Sequence, residues 1–190
     1  MPFPSESEAR VTHIRSAMAR MIRGLLVDAA GPEAWQALLT QLTEASRTLG
    51  EPGADLPEWV PAEFLSDWAD AFRYRLGPAP IGSNLIDLLL EDAHPWIARA
   101  SDPGLAALSI PKIFQHYHKG GVLRIAQLAA GEADLDLWAF LAYPGWHDQL
   151  LPAAFVRTLE RCGARDVAAR SLPVDPADPP YHHRYRLTWR

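Results

Sequence analysis

The sequence predicts an α+β fold, in which a helical N-terminal part is followed by a ββαββ unit with an antiparallel sheet. Before Gly120-Gly121 the apolar residues recur every three to four positions, and after it they recur every two. Helical and strand segments are also segregated along the chain, which favours α+β over α/β. We therefore predict a disordered N-terminus over residues 1–10 and a single domain over residues 11–190. Residues 11–119 form its helical part and residues 120–190 its sheet with one helix.

The composition excludes several functional classes. The chain has 190 residues, of which 48% are hydrophobic and 22% charged, which suits one core-forming domain. Its net charge of −5 provides no basic field for nucleic acid. The single cysteine, Cys162, excludes an intrachain disulfide and a zinc site built from cysteines. The sequence has neither a membrane-spanning apolar run nor a signal peptide, so we expect a cytoplasmic protein.

Five or six helices are predicted in the first part of the chain. The first carries one apolar stripe, formed by Val11, Ile14, Met18, Met21 and Leu25. The second runs from Pro32 to about Leu49, and the third from Pro61 to Leu76. The fourth begins near Ser83 and is apolar nearly all round, which is typical of a helix at the centre of a structure. Two prolines, Pro103 and Pro111, start the remaining helical segments.

Four strands and one helix are predicted in the second part. The segments Val122–Leu128 and Asp134–Leu141 alternate with period two and are joined by a short polar link, which indicates a hairpin. An amphipathic helix then runs from Leu151 to Cys162 and ends at Gly163. The last strands are Asp166–Leu172 and the segment that closes the chain. In the closing strand, one face is predicted to carry Tyr181, His183, Tyr185, Leu187 and Trp189.

Several phrases of the sequence resemble one superfamily of sensor domains. They are Ile22-Arg-Gly-Leu25, the hairpin that ends near Tyr143-Pro144-Gly145, the helix end at Cys162-Gly-Ala-Arg165, and the closing strand with Tyr185-x-Leu-x-Trp189. In this order they resemble the haem nitric-oxide/oxygen-binding (H-NOX) domains and the 4-vinyl-reductase-like domains. An uncharacterised family of myxobacterial paralogues has similar lengths. The resemblance implies an H-NOX-like or vinyl-reductase-like fold and a bacterial signalling protein.

The resemblance also implies a place for haem. The segment Leu90-Glu-Asp-Ala-His94 resembles the stretch that supplies the iron ligand in the haem-binding branch, with His94 at the ligand position. That branch holds the haem propionates with a Tyr-x-Ser-x-Arg sequence, which this chain lacks. Pro95 follows His94 directly and disfavours helical geometry there. We therefore expect no cofactor, and haem on His94 is the disfavoured alternative.

Two non-enzymatic functions follow from these observations. The first is a signalling or protein-interaction domain whose interface, with a homodimer partner or another protein, contains Met18, Trp138, Phe140 and Tyr143. The second is a sensor of a small hydrophobic ligand. Its pocket, between the fourth helix and the sheet, would be lined by a set of largely apolar residues, namely Phe72, Leu89, His94, Trp96, Phe114 and Tyr117.

An enzyme is the least favoured class. His147 lies beside an acid, but no serine or cysteine motif is near it to act as a nucleophile. His116 and His118 would chelate a metal only on a strand, and the apolar spacing around them favours a helix. We interpret both as solvated residues. Cys162 lies on an apolar helix face and is interpreted as inert.

Overall fold

The computed structural model describes residues 3–77, 82–92, 102–140, 147 and 150–190. Within these ranges the helices are α1 (Glu6–Ala9), α2 (Ser16–Ala30), α3 (Pro32–Leu39), α4 (Glu44–Gly50), α5 (Glu63–Leu76), α6 (Gly82–Asp92), α7 (Pro103–Tyr117) and α8 (Leu151–Arg161). The strands are β1 (His13–Arg15), β2 (Trp59–Pro61), β3 (His118–Lys119), β4 (Val122–Ala129), β5 (Glu132–Trp138), β6 (Ala168–Leu172) and β7 (His182–Thr188). The predicted α+β class is confirmed.

The main sheet is built entirely from the second part of the chain, as predicted. Its four strands lie in the order β4-β5-β7-β6, and every neighbouring pair is antiparallel. The inner face carries fully buried residues, among them Leu135, Leu137, Tyr185 and Leu187. Helix α7 contacts β4, and α8 contacts β6 and β7, so these helices lie against the sheet.

The outer face of the same sheet carries a ladder of charges. On β5, Asp134 and Asp136 alternate with the buried leucines, and their partners on β7 are Arg186 and Arg184. Arg186 donates two hydrogen bonds to the Asp134 carboxylate, at 2.7 and 2.8 Å. These hydrogen bonds from Arg186 lower the pKa of Asp134. This face is therefore held by cross-strand ion pairs.

A second, three-stranded sheet was not predicted. It has the order β2-β1-β3, and all its pairs are antiparallel. The expectation that every strand lies after residue 120 is therefore wrong, as is the expectation of a first helix starting near Val11. Strands of two or three residues are too short to show a period of two. Val11 and Ile14 have the spacing of the apolar stripe of α2. They lie before that helix, in extended chain.

The N-terminus is ordered over the part that the structure describes. Helix α1 begins with a capping box. Ser5 Oγ accepts a hydrogen bond from Glu8 N, and the Glu8 carboxylate accepts one from Ser5 N. The Ala9 carbonyl accepts from Phe140 N at 2.9 Å, and the Tyr181 hydroxyl donates to the Pro4 carbonyl at 3.1 Å. The predicted disorder of residues 1–10 therefore does not hold for residues 3–10.

Two predicted helix boundaries also differ. The second predicted helix is divided into α3 and α4. Thr43 is the N-cap of α4, because its hydroxyl oxygen accepts a hydrogen bond from Ser46 N. In contrast, α7 continues through Pro111 as one helix. Among the described residues, no helix is both long and apolar enough to cross a bilayer.

Candidate functional site

An apolar cavity of about 80 Å³ lies where four helices meet. Helices α2, α6, α7 and α8 and the adjoining strand β3 supply its described walls. The described lining consists of Met18, Leu85, Ile86, Leu89, Ile110, Ile113, Phe114, Tyr117, His118, Leu150, Leu151, Ala154, Phe155 and Thr158. Only three of these carry a polar side-chain group, so the cavity is suited to an apolar occupant.

The described lining includes three of the six residues predicted for the pocket. Leu89, Phe114 and Tyr117 line the cavity as the sequence predicted. Phe72 is buried on α5 and does not belong to the described lining of this cavity. Helix α5 packs instead against α2, α3 and α4. The two other predicted residues, His94 and Trp96, lie outside the described residues.

The walls follow from the apolar faces of the helices. Helix α6 presents Leu85, Ile86 and Leu89 to the cavity, which explains why this helix is apolar over most of its circumference. Helix α8 contributes Leu151 and Phe155 from the single apolar stripe that its sequence predicts. Spacings of three and four place these residues on one helix face.

His118 is a polar cavity residue that the sequence analysis did not assign to the pocket. Its side chain is 8% exposed, so the prediction that His118 is solvated is wrong. Helix α7 ends at Tyr117, and β3 begins with His118, whose side chain is thereby directed inward. The imidazole stacks on Phe114 with centroids 4.4 Å apart, and its Nδ1 lies 2.8 Å from the Phe114 carbonyl oxygen. Burial lowers the pKa of His118 to about 4, so the ring is neutral at pH 7.

Ion pairs join two neighbouring helices that both line the cavity. Asp87 on α6 accepts from Arg157 at 2.8 Å and from Arg161 at 2.9 Å, both on α8. Glu91 accepts from Arg161 at 2.7 Å. The hydrogen bond from Arg157, followed by that from Arg161, lowers the pKa of Asp87. We name Asp87, Glu91, Arg157 and Arg161 the α6–α8 clamp.

The substitution Asp87→Asn is expected to weaken this clamp. Removing the charge leaves both arginines with weaker acceptors, so the melting temperature should fall by a few degrees at low salt. Because these side chains are partly exposed, high salt already screens the pairs. The difference from wild type should therefore shrink when differential scanning calorimetry is repeated in concentrated salt. A loss of stability that is independent of salt would contradict an electrostatic role.

The predicted interface residues differ in how far they are exposed. Met18 is 2% exposed and lines the cavity, so its side chain is buried within the chain. Trp138 is 7% exposed, because it stacks on His182 at 4.9 Å and lies beside Phe3. It is therefore covered by the chain itself and is not an exposed anchor. Phe140 is 36% exposed. Tyr143 lies outside the described residues, and a homodimer or protein partner stays a prediction.

The other histidines form no metal centre in the part of the chain that the structure describes. His147 and His183 stack with centroids 3.7 Å apart, and the Tyr185 hydroxyl donates to the His147 carbonyl at 3.1 Å. Across the described ranges, no group of three or more His, Cys, Asp or Glu side chains is placed to hold a metal ion. Burial raises the pKa of the Cys162 thiol, which keeps this cysteine protonated.

Comparison with solved structures shows which known fold this chain resembles. No protein-family model matches the chain, and no curated protein matches it. A solved structure of an H-NOX protein mutant from K. algicida, in the Fe(II) unliganded form, matches with a TM-score of 0.68 and 10% identity. A second Fe(II) unliganded structure of the H-NOX protein from K. algicida matches with a TM-score of 0.62 and 13% identity. Both matches cover 93% of this chain and 97% of the other.

The fold is H-NOX-like. The predicted resemblance is confirmed at this level, since both matches span nearly all of the two chains. At identities of 10% and 13%, these matches show the fold alone and not the function. The likeness to 4-vinyl-reductase-like domains and to the myxobacterial family stays a prediction.

The described lining of the cavity is not suited to a haem. A volume of about 80 Å³ is far below the roughly 300 Å³ at which pockets for drug-sized ligands begin. Haem also carries two carboxylates, and the described lining contains neither arginine nor lysine to pair with them. His118 is the histidine of the described lining, and its surroundings are aromatic and aliphatic side chains.

Proposed function

We propose that this H-NOX-like chain is a non-enzymatic sensor domain that binds a small, uncharged, apolar molecule in the cavity between α2, α6, α7 and α8. The observation that carries the proposal is the apolar lining, in which only Tyr117, His118 and Thr158 bring polar side chains among the described residues. A charged molecule would lose its hydration there without a counter-charge from these walls. A cavity of roughly 150 Å³ with a similar lining accepts benzene or xenon, which sets the scale of the ligand.

The position of the cavity supports signalling as the use of this binding. Helices α6 and α8 both line it, and the α6–α8 clamp joins them at the surface. An occupant would add contacts to both walls and so change their packing. The rival interpretation, a protein-interaction module, rested in part on an exposed Trp138, which the N-terminal segment and His182 cover.

The test is binding of xenon and n-pentane, followed by NMR of the side-chain methyl groups. We expect shifts at Leu89 and Ile110, which line the cavity, and none at the exposed Leu105 and Leu108. Ala154→Leu should fill part of the cavity and abolish these shifts. Ala153→Leu places the same side chain at the neighbouring position of α8, outside the described lining, and is the matched control. Binding that survives Ala154→Leu would place the ligand elsewhere.

We also propose that the domain binds no haem. The purified protein should show no Soret absorption, and adding hemin at stoichiometric concentration should produce none. The reasons are the small cavity, its described lining without cations, and the missing Tyr-x-Ser-x-Arg sequence. Absorption spectroscopy checks this. A sharp Soret band that disappears in His94→Ala would show that haem binds through that residue and would contradict the proposal.

A further inference from the structure

The outer face of the three-stranded sheet carries two cations and a tryptophan. Arg15 on β1 pairs with Trp59 on β2, and His13 on β1 pairs with Lys119 on β3. Residues paired across two strands, and residues two apart on one strand, lie on the same face of a sheet. The intervening Ile14 is 1% exposed and lies on the inner face. Arg15, Trp59 and Lys119 therefore share the outer face, and we name these three residues the Trp59 patch.

The two cations of the patch converge on the tryptophan ring. Arg15 Cζ lies 5.2 Å from the ring centroid of Trp59, and Lys119 Nζ lies 4.5 Å from it. Each cation is attracted by the electron-rich face of the ring. Arg15 and Trp59 are partly exposed and Lys119 is exposed, so the patch is accessible from solvent. Two positive charges near one ring also repel each other, and a bound anion would relieve that repulsion.

Neighbouring side chains hold Arg15 in position. Its Nη1 lies 3.4 Å from His116 Nε2, and because a guanidinium group only donates hydrogen bonds, Nε2 is the acceptor. Its Nη2 donates to the Glu58 carboxylate at 3.3 Å. The Glu58 side chain is 72% exposed, and ion pairs this exposed contribute little to stability. A carboxylate from a partner can therefore join or replace that of Glu58 at little cost.

The patch differs in charge from the chain as a whole. The net charge of the chain is −5, and its sequence contains only two lysines, Lys112 and Lys119. Lys119 belongs to the patch, and the exposed Lys112 lies one turn before His116 on the same face of α7. Positive charge gathered at one place on an acidic chain attracts an acidic group there and gives the contact specificity. A long polyanion such as a nucleic acid would be repelled by the remaining surface.

We propose that the Trp59 patch binds a short acidic segment of a partner protein. Its carboxylates pair with Arg15 and Lys119, and an apolar side chain between them packs against the exposed part of the Trp59 ring. Tryptophan and arginine are the residue types enriched where interfaces bind most strongly, and clustered cations recognise acidic motifs. The inference goes beyond the proposed function and does not depend on a ligand in the cavity.

The experiment uses the two lysines as reporters. Reductive methylation with ¹³C-formaldehyde labels Lys112 and Lys119 and keeps their positive charge. NMR then follows the methyl signals while the peptide acetyl-Glu-Glu-Leu-Glu-Glu-amide is added. We expect the Lys119 signal to move more than the Lys112 signal, because Lys119 belongs to the patch. The matched peptide with glutamine in place of glutamate should move neither, and equal binding of the two peptides would overturn the inference.

A pair of variants tests where the peptide binds. Lys119→Gln should weaken binding of the glutamate peptide about threefold, the range of one exposed ion pair, when dissociation constants are measured by NMR of the backbone amides. Arg165→Gln is the matched control, because it removes the same charge from an exposed position between α8 and β6. Equal losses in the two variants would show a general attraction between opposite net charges and would overturn the proposal.

Three further outcomes would also overturn this assignment. If the glutamate peptide does not bind wild type, the patch is not a site for acidic segments. If the Lys119 signal moves with protein concentration alone, the occupant is a second copy of the chain. If a single-stranded oligonucleotide moves that signal and the peptide does not, the occupant is a nucleic acid. The methyl groups of Leu89 and Ile110 report on the cavity separately, so none of these outcomes affects the proposed function.

Discussion

Replacing Gly120 with alanine is expected to lower the free energy of unfolding by about 3 kcal/mol. Gly120 follows β3 and has a φ of +83°, a conformation that side chains disfavour. A Cβ atom there would also overlap the Arg10 carbonyl oxygen, which belongs to the backbone and has little freedom to move. The N-terminal segment packs against this link, since Gly121 N donates to the Glu8 carbonyl at 2.8 Å. Both the strain and the overlap oppose the substitution.

Gly53→Ala is the matched control for this prediction. Gly53 has the same φ of +83°, but a Cβ atom at this position would meet no atom within 4 Å. Its substitution should cost only the conformational strain, about 1 kcal/mol. Urea denaturation of the two variants and wild type measures the difference. Equal losses for Gly53→Ala and Gly120→Ala would show that the Arg10 backbone does not restrict Gly120.

Acidification from pH 7 to pH 4 is expected to remove up to about 3 kcal/mol of stability through His118 alone. The pKa of His118 is lowered from 6.5 to about 4 in the folded chain by burial. Between these two values the unfolded chain binds a proton that the folded chain does not bind. The free energy of unfolding therefore falls as the pH drops through 6.5, and it continues to fall until about pH 4. Above pH 7 His118 contributes no pH dependence.

A comparison of variants isolates the histidine responsible. His118→Phe should lose less stability than wild type between pH 7 and pH 4 when both are denatured with urea. His147 is expected to contribute in the same direction, because burial and then the charge of His183 lower its pKa to about 4. His147→Phe tests that contribution separately. If wild type and His118→Phe have parallel pH profiles, His118 is not buried in its neutral form.

Periodicity alone determined most of the secondary structure. The change from helical spacing to alternation at Gly120-Gly121 located the main sheet, and the alternation in β5 placed the leucines and the aspartates on opposite faces. Such patterns are local, because they depend only on which side of a helix or strand is buried. Segments of two or three residues carry too few positions for a pattern, so β1, β2 and β3 could not be predicted.

The candidate site depended on contacts between distant segments. The sequence placed Leu89, Phe114 and Tyr117 on apolar faces, but an apolar face does not indicate which of its residues line a cavity and which pack tightly. The same uncertainty applies to Met18, whose stripe suited an interface equally well. A signal near His118 was present in the Gly-Gly pair two residues later, which marks a break in the chain directly after β3.

The sequence by itself therefore determined the α+β class, the helical faces and the antiparallel sheet, because burial of one face imposes a period on each element. Only the tertiary structure decided that Met18 and His118 face one cavity, that Phe72 does not, and that Trp138 is covered by Phe3 and His182. Those outcomes depend on which faces meet and on how completely they fill the space between them. Packing of that kind joins α2, α6, α7 and α8 across the whole chain, and no local pattern records it.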